Sequence, residues 1–572
     1  MTVSSPASTT PERRPTKITK MDDSIDVVQA TTGTSEIPSY RPDAKTRRYD
    51  RQLRLWASAG QRSLEQARVL LIGPDATGCQ ALKNLVLPGI SHFTILSPNI
   101  TTSQDVATNF FLHPDSVSSS IADESVKYLK ELNPSVEGTA RVEDPLSLIS
   151  SEPDYFLSFT LIIASNVEPS LLLQLADLLW DASATVGGPD IPLIAIRNSG
   201  FVGRVEIQLR EHSVVDTHPD TSHTLRLDAP FPSLEQHARS LDYATMDSMD
   251  HSHIPWVVLL VRAASLWKES HGGSLPETSE EKSQFKESLK AEKQKGDEEN
   301  YDEALAQAYR VWNKSEVPWE LKQLLEDDSV KNVSANSKNL HILLHTLGQY
   351  VSSPPYLPPT SPSLPDMHSS TTSYVSLQNL YKAQFQEDLS TFQSLLTNVL
   401  TGVGLPEDAI PQEEVEGFVK NVSGVGIIKG SPLRVSREGK GKLQDEIAEF
   451  DDETDSATCF GMYLALLASE RFYATHSRWP GTKPKEDMAE DNREVEEIVT
   501  GLVGKKEELP EVLIESIAEV TRGGFSTIPT TAAFLGGVVA QEAIKLVTNQ
   551  YTPLDNTVVI NLVKSESAKF KF

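Results

Sequence analysis

The sequence predicts an α/β protein: a parallel, doubly wound unit interrupted by a large, mostly helical block. Three observations predict it. Short apolar strands alternate with helical patterns from Tyr49 to about residue 203, helical periodicity dominates 211–510, and a helix followed by a strand returns after 511. The chain therefore divides into a tail over 1–40, a first α/β part over 41–210, a helical insertion over 211–510 and a final α/β part over 511–572.

The elements follow in order. The tail, "MTVSSPASTTPERRPTKITKMDDSIDVVQATTGTSEIPSY", has no apolar stretch of the secretory kind and is expected to be disordered. "RRYDRQLRLW" crowds Arg47, Arg48, Arg51 and Arg54 onto one polar strand or helix. "ARVLLIG" reads as a buried strand, "CQALKNLVL" as a helix with apolar positions at 82, 85, 86 and 87, and "SHFTILS" as a second strand. "FTLIIAS" and "PLIAIRN" are further strands, separated by the amphipathic helix "PSLLLQLADLLWDAS".

In the helical block, "PWVVLLVRAASLWKES", "LHILLHTLGQYV" and "TCFGMYLALLASERFYATH" all carry the helical period. "SSPPYLPPTSPSLP", with six prolines from Pro354 to Pro365, is expected to be a surface loop rather than a polyproline ligand. "DHSHIPW" places His251 and His253 beside Asp250, but a helix start with Pro255 in its first turn explains it better than metal binding. "SGVGIIKG" has Lys429 where a third glycine would stand, so it is no phosphate loop. Near the end, "PTTAAFLGGVVAQEAIKLV" is a helix of small residues suited to close packing, and "TVVINLV" is the closing strand.

Composition excludes several function classes. With 52 Lys plus Arg against 80 Asp plus Glu, the net charge of -28 repels nucleic acid and anionic membranes, so neither is an expected partner. A charged partner should be basic. No apolar run reaches the roughly 18 residues of a membrane span. The two cysteines, Cys79 and Cys459, lie in helical patterns, which points to a reducing compartment, cytosol or nucleus. They cannot form a four-cysteine zinc site, and their apolar neighbours suggest core residues rather than nucleophiles.

The first strand and turn, "VLLIGPDATGCQALKNLVLPGI", have the outline of a dinucleotide-binding turn. Its first glycine permits the bend, its second lets phosphate approach the backbone, and its third lets helix and strand pack closely. Here those positions are Gly73, Asp75 and Gly78. A helix N-terminus favours an anion by about 0.3–1 kcal/mol, whereas two like charges about 4 Å apart cost about 4 kcal/mol at an effective dielectric of 20. Repulsion wins, unless a metal bridges Asp75 to a nucleotide. The second strand ends "ILSPN", so Asn99 stands where an acid should hold the ribose.

These residues, with "RRYDRQLRLW", "ATNFFLHP", "SYVSLQNLY", "RFYATHSRWPG" and "PTTAAFLGGVVAQEAIKLVT", resemble the ubiquitin-like-protein activating enzymes, and most closely the regulatory subunits of neddylation (Nedd/Rub modifier) activating enzymes. The likeness covers about Arg47 to Phe572. It implies a Rossmann-like, ThiF-type adenylation fold that is pseudo-active. Active relatives keep the glycines, a ribose-binding Asp, a basic contact and a magnesium-holding Asp; this chain offers Asp75, Asn99, Asn109 and Ser165 at the matching positions.

The resemblance thus implies no nucleotide or metal on this chain, and ATP with Mg²⁺ on a catalytic partner subunit that carries the thioester cysteine. It implies a heterodimer acting on a Nedd/Rub-type modifier, and leaves room for contact with the modifier's conjugating enzyme. Arg51 would reach across the dimer to the partner's ATP. Docking would use Gly89 to Val106, including Gly89, Ile90, Ile100 and Val106, with a second contribution from Leu340 to Val351. Two other readings compete: an NAD(P)-dependent oxidoreductase, favoured only by the turn, and a scaffold without any activating-enzyme role.

Overall fold

The computed structural model describes residues 43–185, 188–217, 224–243, 245–482, 485–504 and 509–572. The tail expected to be disordered, 1–40, lies outside them.

The strands are β1 (Arg68–Ile72), β2 (His92–Leu96), β3 (Glu137–Arg141), β4 (Leu161–Ser165), β5 (Leu193–Ser199), β6 (Val202–Gln208), β7 (Glu211–Val215), β8 (Val425–Lys429), β9 (Thr557–Asn561) and β10 (Glu566–Phe570). Eight of them form one sheet in the order β10-β9-β6-β5-β4-β1-β2-β3, and β7 pairs with β8. From β3 through β5 neighbouring strands are parallel. The parallel plan read over Tyr49 to about 203 holds for these strands, and beyond β5 the strands β6, β9 and β10 run antiparallel to their neighbours. A tight turn causes this: Gly200, at φ +56°, and Phe201 join β5 to β6, and so short a connection can only reverse the chain.

β1 lies between β2 and β4, so the order of winding reverses at its C-terminal end, where doubly wound sheets open a crevice. The helix Ala76–Val86 runs back from that edge and packs against the helix Pro529–Thr548. The approach is close because Gly536 has no side chain: a Cβ there would stand 2.5 Å from that of Gln80. Helix Pro529–Thr548 is long and apolar enough by composition to cross a membrane, yet Leu535, Val539, Ala540 and Ala543 lie in the sheet's own core.

The antiparallel pair β7–β8 marks where the chain leaves the sheet unit and returns. Between them, two cores hold the helical block together, one around Trp256–Trp267 and Tyr381, the other around Leu340–Tyr350 and Phe392. The boundary expected at 510 is therefore corrected. Helices Ala457–His476 and Glu511–Gly523 share one core with Val202 of β6, Val559 of β9 and Phe570 of β10, so the chain is back on the sheet well before 510. Helix Ala457–His476 is buried on nearly every side, and its period alone could not tell which core surrounds it.

A buried charge cluster fastens that return. Glu470 pairs with Arg204 at 2.5 Å, with Arg437 at 2.8 Å and with Arg197 at 3.4 Å. Burial opposes its charge, but Arg204, Arg437 and Arg197 outweigh that and hold the carboxyl down at about 2.

The Pro-rich stretch is a surface loop only in part. Tyr356 is exposed, but Leu357 to Ser361 are buried, with Thr360 donating through N and Oγ1 to Asp388 Oδ2 at 2.7 Å. His251 is equally structural: its Nδ1 lies 2.7 Å from Glu298 Oε1 and its Nε2 3.2 Å from the Tyr301 hydroxyl, all buried. Pro255 caps the helix Trp256–Ser270 rather than sitting inside its first turn.

Candidate functional site

The turn between β1 and the helix Ala76–Val86 keeps two of its three glycine functions. Gly73 sits at φ +79°, and a Cβ there would fall 2.1 Å from the Ser165 carbonyl of β4. At Gly78 a Cβ would meet the Leu71 side chain at 2.8 Å and the Gly73 carbonyl at 2.9 Å. The bend and the close helix–strand packing survive.

The middle position has been turned inward. Asp75 is the N-cap of the helix, its Oδ1 accepting from the Gly78 amide at 3.0 Å. The same oxygen accepts from Ser165 Oγ at 2.6 Å, while Oδ2 accepts from Asn166 Nδ2 at 2.7 Å and Thr527 Oγ1 at 3.2 Å. Asn166, at φ +49°, is fixed in turn by Asn198, whose amide donates to Asn166 Oδ1 at 2.9 Å. The carboxylate thus occupies the helix N-terminus where an incoming phosphate would be held. Four of the donors that could greet a phosphate are spent on it.

The rest of the crevice is small and acidic. The cavity at this turn is about 190 Å³, lined by Asp75, Asp105, Thr108, Asn109 and Thr527 among others, with two carboxylates and no basic side chain. That is below the roughly 300–1,000 Å³ of small-molecule pockets. Asn109 is buried, its Nδ2 reaching Cys79 Sγ at 3.4 Å and its Oδ1 accepting from the Phe111 amide at 3.0 Å. It braces the turn from below. Asn99 is exposed at the end of β2 and offers no carboxylate. Among the described residues, no three His, Cys, Asp or Glu side chains cluster as metal ligands.

The ThiF family model matches residues 49–165, the stretch from the N-terminal helix to Ser165 of β4. The NEDD8-activating enzyme E1 regulatory subunit of Xenopus laevis is 34% identical over 535 residues, covering 92% of this chain and 98% of that protein. The regulatory subunit AXR1 of Arabidopsis thaliana is 33% identical over 530 residues, covering 92% and 96%. The chain belongs to the NEDD8-activating enzyme E1 regulatory subunits.

That family assignment is to a regulatory subunit of a neddylation activating enzyme with a ThiF fold, and it does not favour an oxidoreductase or an unrelated scaffold. In this regulatory subunit neither thiol is poised for chemistry. Cys79 is fully buried, which pushes its pKa up to about 12, and burial likewise pushes Cys459 up to about 11.

Arg51 lies on the helix Ala44–Gln66, which is kinked at Trp56 and Ala57. Two residues earlier, Tyr49 is buried: its hydroxyl accepts from Asn133 Nδ2 at 3.0 Å and lies 2.4 Å from where a Cβ on Gly89 would be. Tyr49 anchors the arm, and Arg51 stands exposed with no hydrogen bond or ion pair among the described residues.

The residues expected at the docking face separate into two groups. Ile90 is 1% exposed within the sheet's core and Leu340 is 7% exposed within the helical block's second core, so both are corrected to internal packing residues. Gly89 is covered by Tyr49, and Val351 packs against that second core. Ile100 stays exposed and Val106 half-buried, and Phe110 and Phe534 are exposed apolar side chains that sequence patterning had not singled out. Sequence reading also missed Asn198 and Thr527. The available signal was the pair of asparagines closing β4 and β5.

Proposed function

We propose that this regulatory subunit forms the nucleotide-free half of a heterodimer with a catalytic E1 subunit, in which ATP and Mg²⁺ are held by the partner. There the partner adenylates the C-terminal carboxylate of a NEDD8-type modifier and takes it as a thioester on the partner's cysteine. One observation carries this reading: the carboxylate of Asp75 fills the phosphate position and is satisfied by Gly78, Ser165, Asn166 and Thr527 of its own chain. Removing that charge from those donors would leave them orphaned, so the arrangement is stable as a fold and unfit as a phosphate seat.

The role left for this chain is to bind, orient and complete. Ile100, Phe110 and Phe534 present apolar surface for the partner, and Arg51 presents a guanidinium whose planar set of donors suits developing charge on a phosphate held by the neighbour. Unpaired, buried cysteines agree with a reducing compartment, cytosol or nucleus.

Calorimetry of the lone chain with Mg-ATP should give no stoichiometric heat, and the lone chain should catalyse no modifier-dependent pyrophosphate exchange. Adding the catalytic subunit should produce exchange, and a Cys79→Ala, Cys459→Ala variant should still support the partner's thioester. Stoichiometric nucleotide binding by the lone chain overturns the reading.

A further inference from the structure

The helical block carries a second recess, far in sequence from the degenerate turn. It has a volume of about 500 Å³ and lies between Arg226–Leu227 and the segment from Tyr309 to Glu320. Two of its walls are large exposed aromatics: Trp319 is 67% exposed and Tyr309 42%. Side chains of this size are normally covered, and Trp, Tyr and Arg are the residues that dominate binding energy at protein interfaces.

The charges lining it run against the rest of the chain. In a protein of net charge -28, this recess gathers Arg310 and Lys314 beside the buried Arg226, which lies 3.8 Å from Asp388. Arg310 spends its Nε on the Gln307 side chain at 2.7 Å and lies 5.2 Å from the centre of the Tyr309 ring, with no carboxylate paired to it among the described residues. Lys314 is exposed and has no described partner at all. Of the two acids at the rim, Glu316 is committed to Lys322 at 2.7 Å, leaving Glu320.

The recess is also held rigid. Ser315 donates its amide to Asp228 Oδ2 at 2.8 Å, and Arg226 donates to the Pro358 carbonyl at 2.8 Å. Val311 is buried in one helical core and Val317 and Leu321 in the other, so the loop that carries Lys314 spans two packed units. Little ordering is left to be done on binding.

We infer that this recess is a docking site for an acidic peptide segment of a partner protein, whose carboxylates meet Arg310 and Lys314 and whose apolar anchor packs on Trp319 and Tyr309. Charge complementarity selects the occupant. A basic segment would face unpaired cations, and a long polyanion would be repelled by the acidic remainder of the chain.

The test uses the assembled heterodimer and a fluorescein-labelled peptide of alternating Glu and Ser around one central Phe, read by anisotropy. Saturable binding is expected, weakened by salt and weakened at least about tenfold by Lys314→Glu, by Arg310→Glu and by Trp319→Ala, the tenfold loss corresponding to about 1.4 kcal/mol. Lys564→Glu, a charge reversal on the exposed turn after β9, should leave it unchanged. Pyrophosphate exchange should be unaffected throughout. Absence of saturable binding, equal binding of the Lys-for-Glu peptide or of an oligonucleotide, or wild-type affinity in Lys314→Glu each overturns the inference. If Trp319→Ala fails to fold, the two charge reversals on exposed side chains decide it.

Discussion

At the turn after β1, the carboxylate of Asp75 accepts four hydrogen bonds from its own chain, whereas Arg51, on the helix before β1, has no described partner at all. Both belong to the same α/β unit. The acid is satisfied at home, by the nearby Gly78 amide and by donors from two distant segments, Ser165–Asn166 and Thr527. The base is left in water beside an anchored Tyr49. A charge that has collected its own partners can only stabilise the fold, while an exposed guanidinium remains available to another molecule. The contrast separates a charge that is part of the fold from one that faces outward.

The contrast breaks most visibly at Arg51. In a heterodimer of undiminished affinity, Arg51→Ala should slow adenylation by about 10²-fold, the scale of losing one transition-state donor, and Arg51→Lys should restore only part of it. Wild-type exchange kinetics from the Ala variant would make Arg51 an ordinary surface residue. At Asp75 the effect should fall on stability instead. Asp75→Ala removes a helix cap and orphans several donors, which should cost about 2 kcal/mol in urea unfolding, without any gain of ATP binding, because no basic side chain lines the cavity. Asp75→Asn keeps the acceptor for Gly78 but turns an amide toward Asn166 or Thr527, and should fall between wild type and Ala.

A smaller effect is expected at the apolar face. Ile100 is 54% exposed, so Ile100→Asp should leave the lone chain's melting temperature unchanged while weakening the heterodimer about tenfold, measured by analytical ultracentrifugation. The smallest concerns the neck of the insertion. Glu211 of β7 pairs with Lys338 and His341, both at 3.0 Å; burial resists its charge, but those partners outweigh it and lower its pKa from 4.5 to about 2. A depressed carboxylate stabilises the fold above its unfolded pKa and loses that contribution as pH falls, here between about 4.5 and 2. Glu211→Gln should therefore flatten the acid limb of the stability curve in that window, and an unchanged limb would show the pairing to be neutral.

What the sequence determined by itself was local. Gly73 and Gly78 announced a bend and a tight helix–strand approach, Asp75 announced a carboxylate between them, and alternating strand and helix patterns announced a wound sheet split by helices. Such features follow from the conformational and steric demands of residues close together in the chain. Tertiary structure alone decided the remainder. The donors to Asp75 from Asn166 and Thr527 lie 91 and 452 residues away, beyond the reach of any spacing rule. Burial likewise depends on what lies across the fold: Ile90 and Leu340 look like docking residues until their own cores close over them, and helix Ala457–His476 looks like part of the insertion until β6 and β9 are brought against it. Periodicity states that a face must be covered, but only the packed molecule supplies the partner that covers it.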